Sequence, residues 1–501
     1  MGTAAAIAKT IAHGAIPVPR PRAGLAVLLA LALAGCAGLG GETGKDVAVA
    51  LPVAAPRTLG TDAPVSAEHK RLVTLFGGEY KWRPAQAHLD AILARLARSS
   101  ATSSQIYRVT ILNTPVVNAF ALPSGNIYVT RGLLALANDS SEVAAVMAHE
   151  IAHVTARHAA QRAELEKREA VISKVATVIQ NQERGQTVRS DSQRTLAGFS
   201  RQQELDADEI GVKVIAAAGY DPHAASRFLA QLGRSTGLRN ALVGQQGGAA
   251  RPDILSTHPS TPARVAQAIA AARQISAPGI GEQGRAEYLA AIDGMAFGDD
   301  PSQGSIRGRQ FVHPRLGFGF TAPEGFVLDN SAQAVLGVAG GGNEALRLDS
   351  VHLASATTLE AYLASGWIDG LQQSSITSSI NNGLPMASAI AKGGQWSFRL
   401  AAIRLGTDVY RMIFATKDLS PEADVRYRAA LDSFHRISTG EARNVKPLKL
   451  AIAAAQSGDT IESLAGRMTA PDRPVDYFLL LNGLEAGGTV KPGEKYKLVV
   501  E

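Results

Sequence analysis

Residues 149–153 read His-Glu-Ile-Ala-His. Two imidazoles four positions apart share one face of a helix about one turn apart, so both can reach a single metal ion. Glu150, about 100° round the helix from His149, can approach a water on that ion and take its proton. Burying this pattern for packing alone would leave a carboxylate and imidazole nitrogens dry and unpaired, which is costly. A catalytic zinc takes three protein ligands and keeps one position open. If the helix runs on, His158 lies about 140° from His153 and cannot share the ion. An extended motif with a third histidine would need Gly at 156 and His at 159, and both are Ala. A downstream carboxylate remains. Glu204 and Asp208, within Glu204-Leu205-Asp206-Ala207-Asp208, are again four apart on one helical face. One can ligate the metal while the other accepts the N–H of a ligating histidine and fixes its tautomer. Asp206 and Glu209 point elsewhere and are expected at the surface.

The elements that must position these groups are legible around them. Asp139 and Glu142 have the spacing of a capping box. It opens a helix whose apolar side is Val143, Val146, Met147, Ile151 and Val154. Phe199–Ala217 reads as a second helix. Upstream, Ala67–Phe76 and Pro84–Ala97 have helical periodicity, and Ile106–Leu112 alternates like a strand. Val116–Leu122 and Asn126–Thr130 read as two strands joined by the turn Pro123-Ser124-Gly125. Residues 161–198 are polar and charged, read either as a lid over the cleft or as a solvated helical excursion.

Four linked motifs make the chain similar to the M48 peptidases: Asn118-Ala119-Phe120-Ala121-Leu122-Pro123-Ser124-Gly125, Gly132-Leu133-Leu134, the helix Glu142 to His153, and Glu204 to Asp208. The resemblance implies a mainly helical zincin domain with a small sheet, binding one Zn²⁺ and cutting peptide bonds. It makes His149, His153 and Glu204 the zinc ligands, Glu150 the general base and Asp208 the partner of a ligating histidine. It also makes Asn118, Ala119 and Phe120 an edge strand that pairs with extended substrate, a mode suited to broad sequence tolerance. A further match, Ser256-Thr257-His258-Pro259 followed by Arg264, gives His258 a place in the active site. There it either stabilises the oxyanion or caps the zinc at rest. Arg264 is expected to anchor the surrounding structure. His223 and His158 are left as structural residues.

The segment before the catalytic motifs is informative too. Lys9, Arg20 and Arg22 precede a short apolar run, Ala23 to Ala34, with the shape of a signal-peptide core. Leu33-Ala34-Gly35-Cys36 resembles the lipobox of bacterial lipoproteins, which implies lipidation of Cys36, cleavage after residue 35 and anchoring by more than one acyl chain. Ala37 and Gly38 follow, with no Asp to signal inner-membrane retention, so a periplasmic protein on the outer membrane is expected. Cys36 is the only cysteine, so the mature chain forms no internal disulfide. The balance of charge is mild, +6 over 501 residues, with no basic block, and argues against a nucleic-acid partner.

The chain divides into an expected signal peptide (1–36), a flexible Gly/Ala/Pro/Thr-rich tether (37–64), the M48-like domain (65–275), a linker (276–308), an α/β domain (309–438) and a last unit (448–501). The fold class is α+β. In the α/β domain, Phe311–Pro323 and Ala345–Leu353 read as strands, Thr358–Leu371 and Pro421–Phe434 as helices. Trp396–Leu405 and Asp408–Thr416 form a hairpin turning at Gly406-Thr407. It holds no metal set, is vaguely similar to PsbP-like domains, and is expected to bind substrate or partner. The last unit resembles a LysM domain, a small βααβ module, which implies contact with peptidoglycan. Without transmembrane helices or a 34-residue helical repeat, the chain resembles the periplasmic lipoprotein members of the family. The resulting expectation is an endopeptidase acting on misfolded or misassembled envelope proteins; the alternative is a latent, peptidoglycan-tethered chaperone or scaffold with a closed zinc site.

Overall fold

The computed structural model describes residues 66–100, 105–167, 182–242, 258, 261–331, 333–469 and 473–501, with the backbone alone over 182–199. Cys36 and the expected signal and tether lie outside the described residues, as does the middle of the 161–198 stretch.

Helix α1 (Ala67–Leu75) is opened by Ser66, whose hydroxyl accepts the His69 N–H. Helix α2 (Arg83–Ser99) buries Leu89, Ile92, Leu93 and Leu96. Strands β1 (Arg108–Leu112), β2 (Ala119–Ala121) and β3 (Asn126–Thr130) form a sheet in the order β1-β3-β2, with β1 parallel and β2 antiparallel to β3. The strand expected over Val116–Leu122 is therefore a short edge strand. Gly125 makes the turn to β3 at φ 88°, where a Cβ would meet the Ile106 carbonyl at 2.3 Å. Thr130 ends β3 and caps α3 (Arg131–Leu136).

Helix α4 (Ser140–Thr155) carries the His-Glu-x-x-His motif. The Asp139 carboxylate accepts the Glu142 N–H, but Glu142 reaches back to the Asn138 N–H, one residue beyond the expected capping box. Residues 140–152 are all buried, so the helix is enclosed on every side rather than on one. Helices α5 (Gln182–Ala217) and α6 (Ala224–Leu242) pack against it, and α7 (Pro262–Ile275) packs on both of those. Helix α8 (Arg285–Ile292) follows, with β4 (Ala296–Phe297) behind it.

Between β4 and residue 448 the chain builds a different body. Strands β5 (Ser305–Arg307), β6 (Gln310–His313), β7 (Phe318–Thr321), β8 (Val327–Asn330), β9 (Val335–Ala339) and β10 (Glu344–His352) come first. Helix α9 (Leu359–Leu363) precedes β11 (Thr377–Asn381), β12 (Leu384–Gly393), β13 (Trp396–Leu405) and β14 (Asp408–Thr416). Helix α10 (Pro421–Asp432), β15 (His435–Arg436) and α11 (Thr439–Asn444) complete it. A seven-stranded sheet runs β11-β12-β13-β14-β10-β9-β8, beside a four-stranded sheet β15-β7-β6-β5. Two expectations are corrected here. Phe311–Pro323 is not one strand but the hairpin β6–β7, broken where Gly317 takes φ 76°. The helix expected over Thr358–Leu371 stops at Leu363, with Gly366 and Gly370 at positive φ. Trp367 and Ile368, which extended the apolar pattern, are buried against the sheet from a loop.

The chain then returns through β16 (Leu448–Ala454), α12 (Ile461–Ala465), α13 (Pro474–Asn482) and β17 (Lys495–Val500), with β16 paired antiparallel to both β17 and β4. One apolar core joins Leu89, Leu133, Val143 and Met147 to Leu450, Leu464, Phe478 and Leu498. The buried residues of two other clusters all belong to the sheet domain, from Phe311 to Phe434. That domain is spliced into the hairpin between β4 and β16. Among the described residues, no helix is long and apolar enough to cross a membrane.

Candidate metal centre

The side chains of α4 and α5 converge because α5 comes very close to α4. Gly211 sits where a Cβ would lie 3.3 Å from the backbone nitrogen of His149. Two turns earlier on the same face of α5 is Glu204, and one turn earlier, near Gly211, is Asp208. His149, His153, Glu204 and His258 form a single cluster of candidate donor atoms, all within 4.8 Å of one another. His149 Nε2 lies 3.0 Å from His153 Nε2 and 3.2 Å from His258 Nδ1. Glu204 Oε1 and Oε2 are each 2.9 Å from His258 Nδ1. Glu204 is also 3.4 Å from His149 and 3.5 Å from His153.

A second layer holds these groups. His149 Nδ1 lies 2.9 Å from Asp208 Oδ1. Arg264, from the first turn of α7, donates to Asp208 through Nε and Nη2 at 2.7 Å each, and its Nη1 is 3.0 Å from Glu204. Thr261 caps α7 by accepting the Arg264 N–H, which fixes where that guanidinium starts. All of this is buried: Glu204, Asp208 and Arg264 are each 5% exposed.

The buried charges of the cluster are mutually compensated. Burial alone would raise the Glu204 and Asp208 carboxyls. His258 and His149 hold Glu204 far below the usual carboxylate range, and Arg264 with His149 holds Asp208 down. Burial would lower the His149 imidazole, but Asp208 and Glu204 prevail and raise it to about 10. His153 is pressed well below its ordinary value by burial and by the neighbouring imidazoles. Imidazole nitrogens with one carboxylate are a donor set that suits zinc.

Glu150 stands beside this cluster but outside it. It is 2% exposed and its Oε1 has no hydrogen-bond partner. Burial raises its pKa, against the pull of His258 and His149, and the backbone of Ala121 on the edge strand donates a hydrogen bond to it. His258 Nε2 is 3.6 Å away. A buried carboxyl with a raised pKa therefore stands beside the candidate donors and abuts an edge strand. Asn118 and Ala119, on the approach to and start of that strand, are buried; Phe120 is half-buried and stacks on Tyr128.

Three contributors are not marked by the sequence motifs. A continuing helix would carry His158 away from His153. Helix α4 instead ends at Thr155, Arg157 takes φ 58°, and the turned chain brings His158 Nδ1 within 2.9 Å of His153 Nδ1. Gln203, next to Glu204, donates to the His158 carbonyl. Gly211 carries a signal that could have found it, since its spacing of seven from Glu204 puts it on the same face of α5. His223 is remote from the cluster, its Nε2 facing the Ser276 carbonyl at 3.2 Å.

Two histidines a turn apart, a carboxylate from a second helix and a buried glutamate beside them form a cluster that could take a metal ion. Residues 84–272 match the sequence model of Peptidase family M48. It is 37% identical over 160 residues to the mitochondrial metalloendopeptidase OMA1 of Arabidopsis thaliana, covering 31% of this chain and 29% of that protein. It is 31% identical over 198 residues to the beta-barrel assembly-enhancing protease of Escherichia coli (strain K12), covering 38% of this chain and 39% of that one. The chain thus spans well under two thirds of the length of these relatives. Cyanobacterial PsbP (CyanoP) from Synechocystis sp. PCC 6803 aligns with 26% of the chain at 12% identity and a TM-score of 0.22.

Proposed function

We propose that the chain is a zinc-dependent endopeptidase that hydrolyses unfolded or misassembled proteins of the bacterial envelope. The observation that carries the reading is Glu150, a buried carboxylate with one oxygen unpartnered beside the candidate donors. A site that only stabilised the fold would have no use for it. His149, His153 and Glu204 would hold the ion, with Asp208 and Arg264 orienting them. A bound zinc ion lowers the pKa of a water and polarises a carbonyl. Glu150 takes the proton of the attacking water and delivers it to the leaving amine. An extended substrate pairs with the edge strand Ala119–Ala121, next to Glu150. The lipobox-like Leu33-Ala34-Gly35-Cys36 supports an outer-membrane anchor facing the periplasm, and the strand–helix–helix–strand order of 448–501 supports attachment to peptidoglycan.

One observation favours a variant of this reading. His258 lies within the donor cluster, so His149, His153, Glu204 and His258 could together supply four ligands to one ion, the number that closes a tetrahedral site. Such a closed site supports a resting state capped by His258, as it does the alternative of a latent, peptidoglycan-tethered chaperone or scaffold. The test is cleavage of unfolded casein by residues 37–501, with chelator and added zinc. Internal cleavage lost to chelator and restored by zinc supports the reading; chelator-resistant cleavage contradicts it. If His258 closes the site, His258→Ala speeds cleavage; if it stabilises the oxyanion, the same change slows it.

A further inference from the structure

The last strand of the chain carries a lysine with no access to solvent. Lys497 is 0% exposed, and its Nζ donates to the carbonyls of Ala137 at 2.6 Å, Ala135 at 2.8 Å and Leu136 at 3.4 Å. These are terminal carbonyls of α3 and its cap, where a helix has no internal partners left and carries partial negative charge. The next residues, Asn138 and Asp139, open α4. Glu142 in the first turn of α4 is 4% exposed; it accepts the Asn138 N–H at 2.8 Å and lies 3.6 Å from Arg227. Burial presses the Lys497 ammonium down to about 7, against the pull of Glu142 and Asp139.

The strand that delivers Lys497 is itself fixed. Asn482 accepts the Lys497 N–H at 2.7 Å and donates to its carbonyl at 3.0 Å. Arg285 bridges the Asn138 and Lys495 carbonyls, and Gln231 of α6 donates to the Leu480 carbonyl. An apolar side chain would fill this space at far lower desolvation cost. The lysine is accounted for by what its ammonium holds. Glu142 and His149 are seven apart, two turns along one face of a rigid helix, so the placing of Glu142 sets the placing of His149.

We infer that Lys497 is a positioning residue for the metal centre: it holds the carbonyl end of α3, to which Glu142 is joined through the adjacent Asn138 N–H, and so fixes the helix that presents His149, Glu150 and His153. Residues 448–501 then form a wall of the catalytic unit rather than a separable tail. The inference rests on the metal-centre reading but not on hydrolysis.

The test uses the full chain, loaded with cobalt(II), as wild type, Lys497→Met, Glu142→Gln and the double variant. Cobalt affinity, its visible absorption spectrum and the melting temperature are read on each. Lys497→Met is expected to weaken cobalt binding about 10- to 100-fold and to change the spectrum, as loss of a supporting group does. The double variant, which leaves no unpaired charge, is expected to recover part of both. Unchanged affinity and spectrum with only a lower melting temperature would overturn the inference. If Lys497→Met does not fold, a folded double variant still supports it, whereas a double variant that also fails makes Lys497 a requirement of the fold alone and overturns it. Wild type that takes up no cobalt would sink the metal-centre reading itself, a distinguishable result.

Discussion

Arg264 is the buried cation that lets two carboxylates stand beside each other in the centre. Its guanidinium spans Asp208 and Glu204, and without it both would be drawn only to the imidazoles. Breaking a buried pair by removing one partner costs about 3–5 kcal/mol. Arg264→Met is therefore expected to lower the melting temperature clearly and to weaken zinc binding, read by unfolding and by chelator competition; a variant as stable and as well loaded as wild type would contradict this. Helical spacing alone puts His149 with His153 and Glu204 with Asp208, so these four groups are legible in the sequence, whereas His258 is placed there only by its resemblance to a family motif. His158 is not legible, since its contact with His153 depends on Arg157 entering the left-handed region, which neither residue type nor spacing signals.

Elements are set by close approaches as much as by apolar pattern. Helix α3 enters so near the loop before the edge strand that a Cβ on Gly132 would meet the Pro115 carbonyl at 2.1 Å. That neighbour is backbone and cannot swing aside. Gly132→Ala is expected to cost about 1–3 kcal/mol or more, measured by denaturant unfolding, even though alanine is the better helix former; equal or higher stability would refute the close approach. In the inserted domain, His313 of β6 lies between Phe311 and Phe318, and its Nδ1 accepts the Leu316 N–H. Burial, with Arg315 nearby, lowers its pKa from 6.5 to about 4. Between those values the unfolded chain binds a proton that the folded chain does not. The stability is thus present above pH 6.5 and is lost as pH falls toward 4. His313→Gln is expected to flatten the stability profile over that window, and an unchanged slope would exclude the role. The hairpin Trp396–Leu405 and Asp408–Thr416 is readable because strong alternation flanks Gly406-Thr407. The hairpin β6–β7 carries Pro314 and Gly317 at its turn, signals outweighed by the apolar residues Phe311, Phe318 and Phe320 on either side.

For the whole molecule, the core is discontinuous in sequence. Apolar residues before β4 and after Pro447 share one cluster, while the sheet domain has clusters of its own. Nothing in the pattern of the last fifty residues reveals this, since a small βααβ unit reads the same whether free or docked. Phe297 and Leu448 are direct partners in the β4–β16 ladder, so the ends of the insertion lie side by side. Replacing residues 299–446 by a loop of about five residues, a usual hairpin length, is expected to leave a folded chain that still binds zinc. Removing 447–501 instead strips Leu450, Leu464, Phe478 and Leu498 from the core around α4, and zinc binding should be lost with the fold. Metal content and thermal unfolding of the two proteins decide it; a stable, zinc-loaded truncation at 446 would contradict the shared core.

The most direct test of the central claim compares wild type with Glu150→Gln for zinc content and for cleavage of unfolded casein. The account predicts that both bind one zinc, and that the variant cleaves about 10²- to 10⁴-fold more slowly, the share of the barrier that a positioned acid–base group removes. Equal cleavage by the two proteins, or no zinc in either, would contradict it.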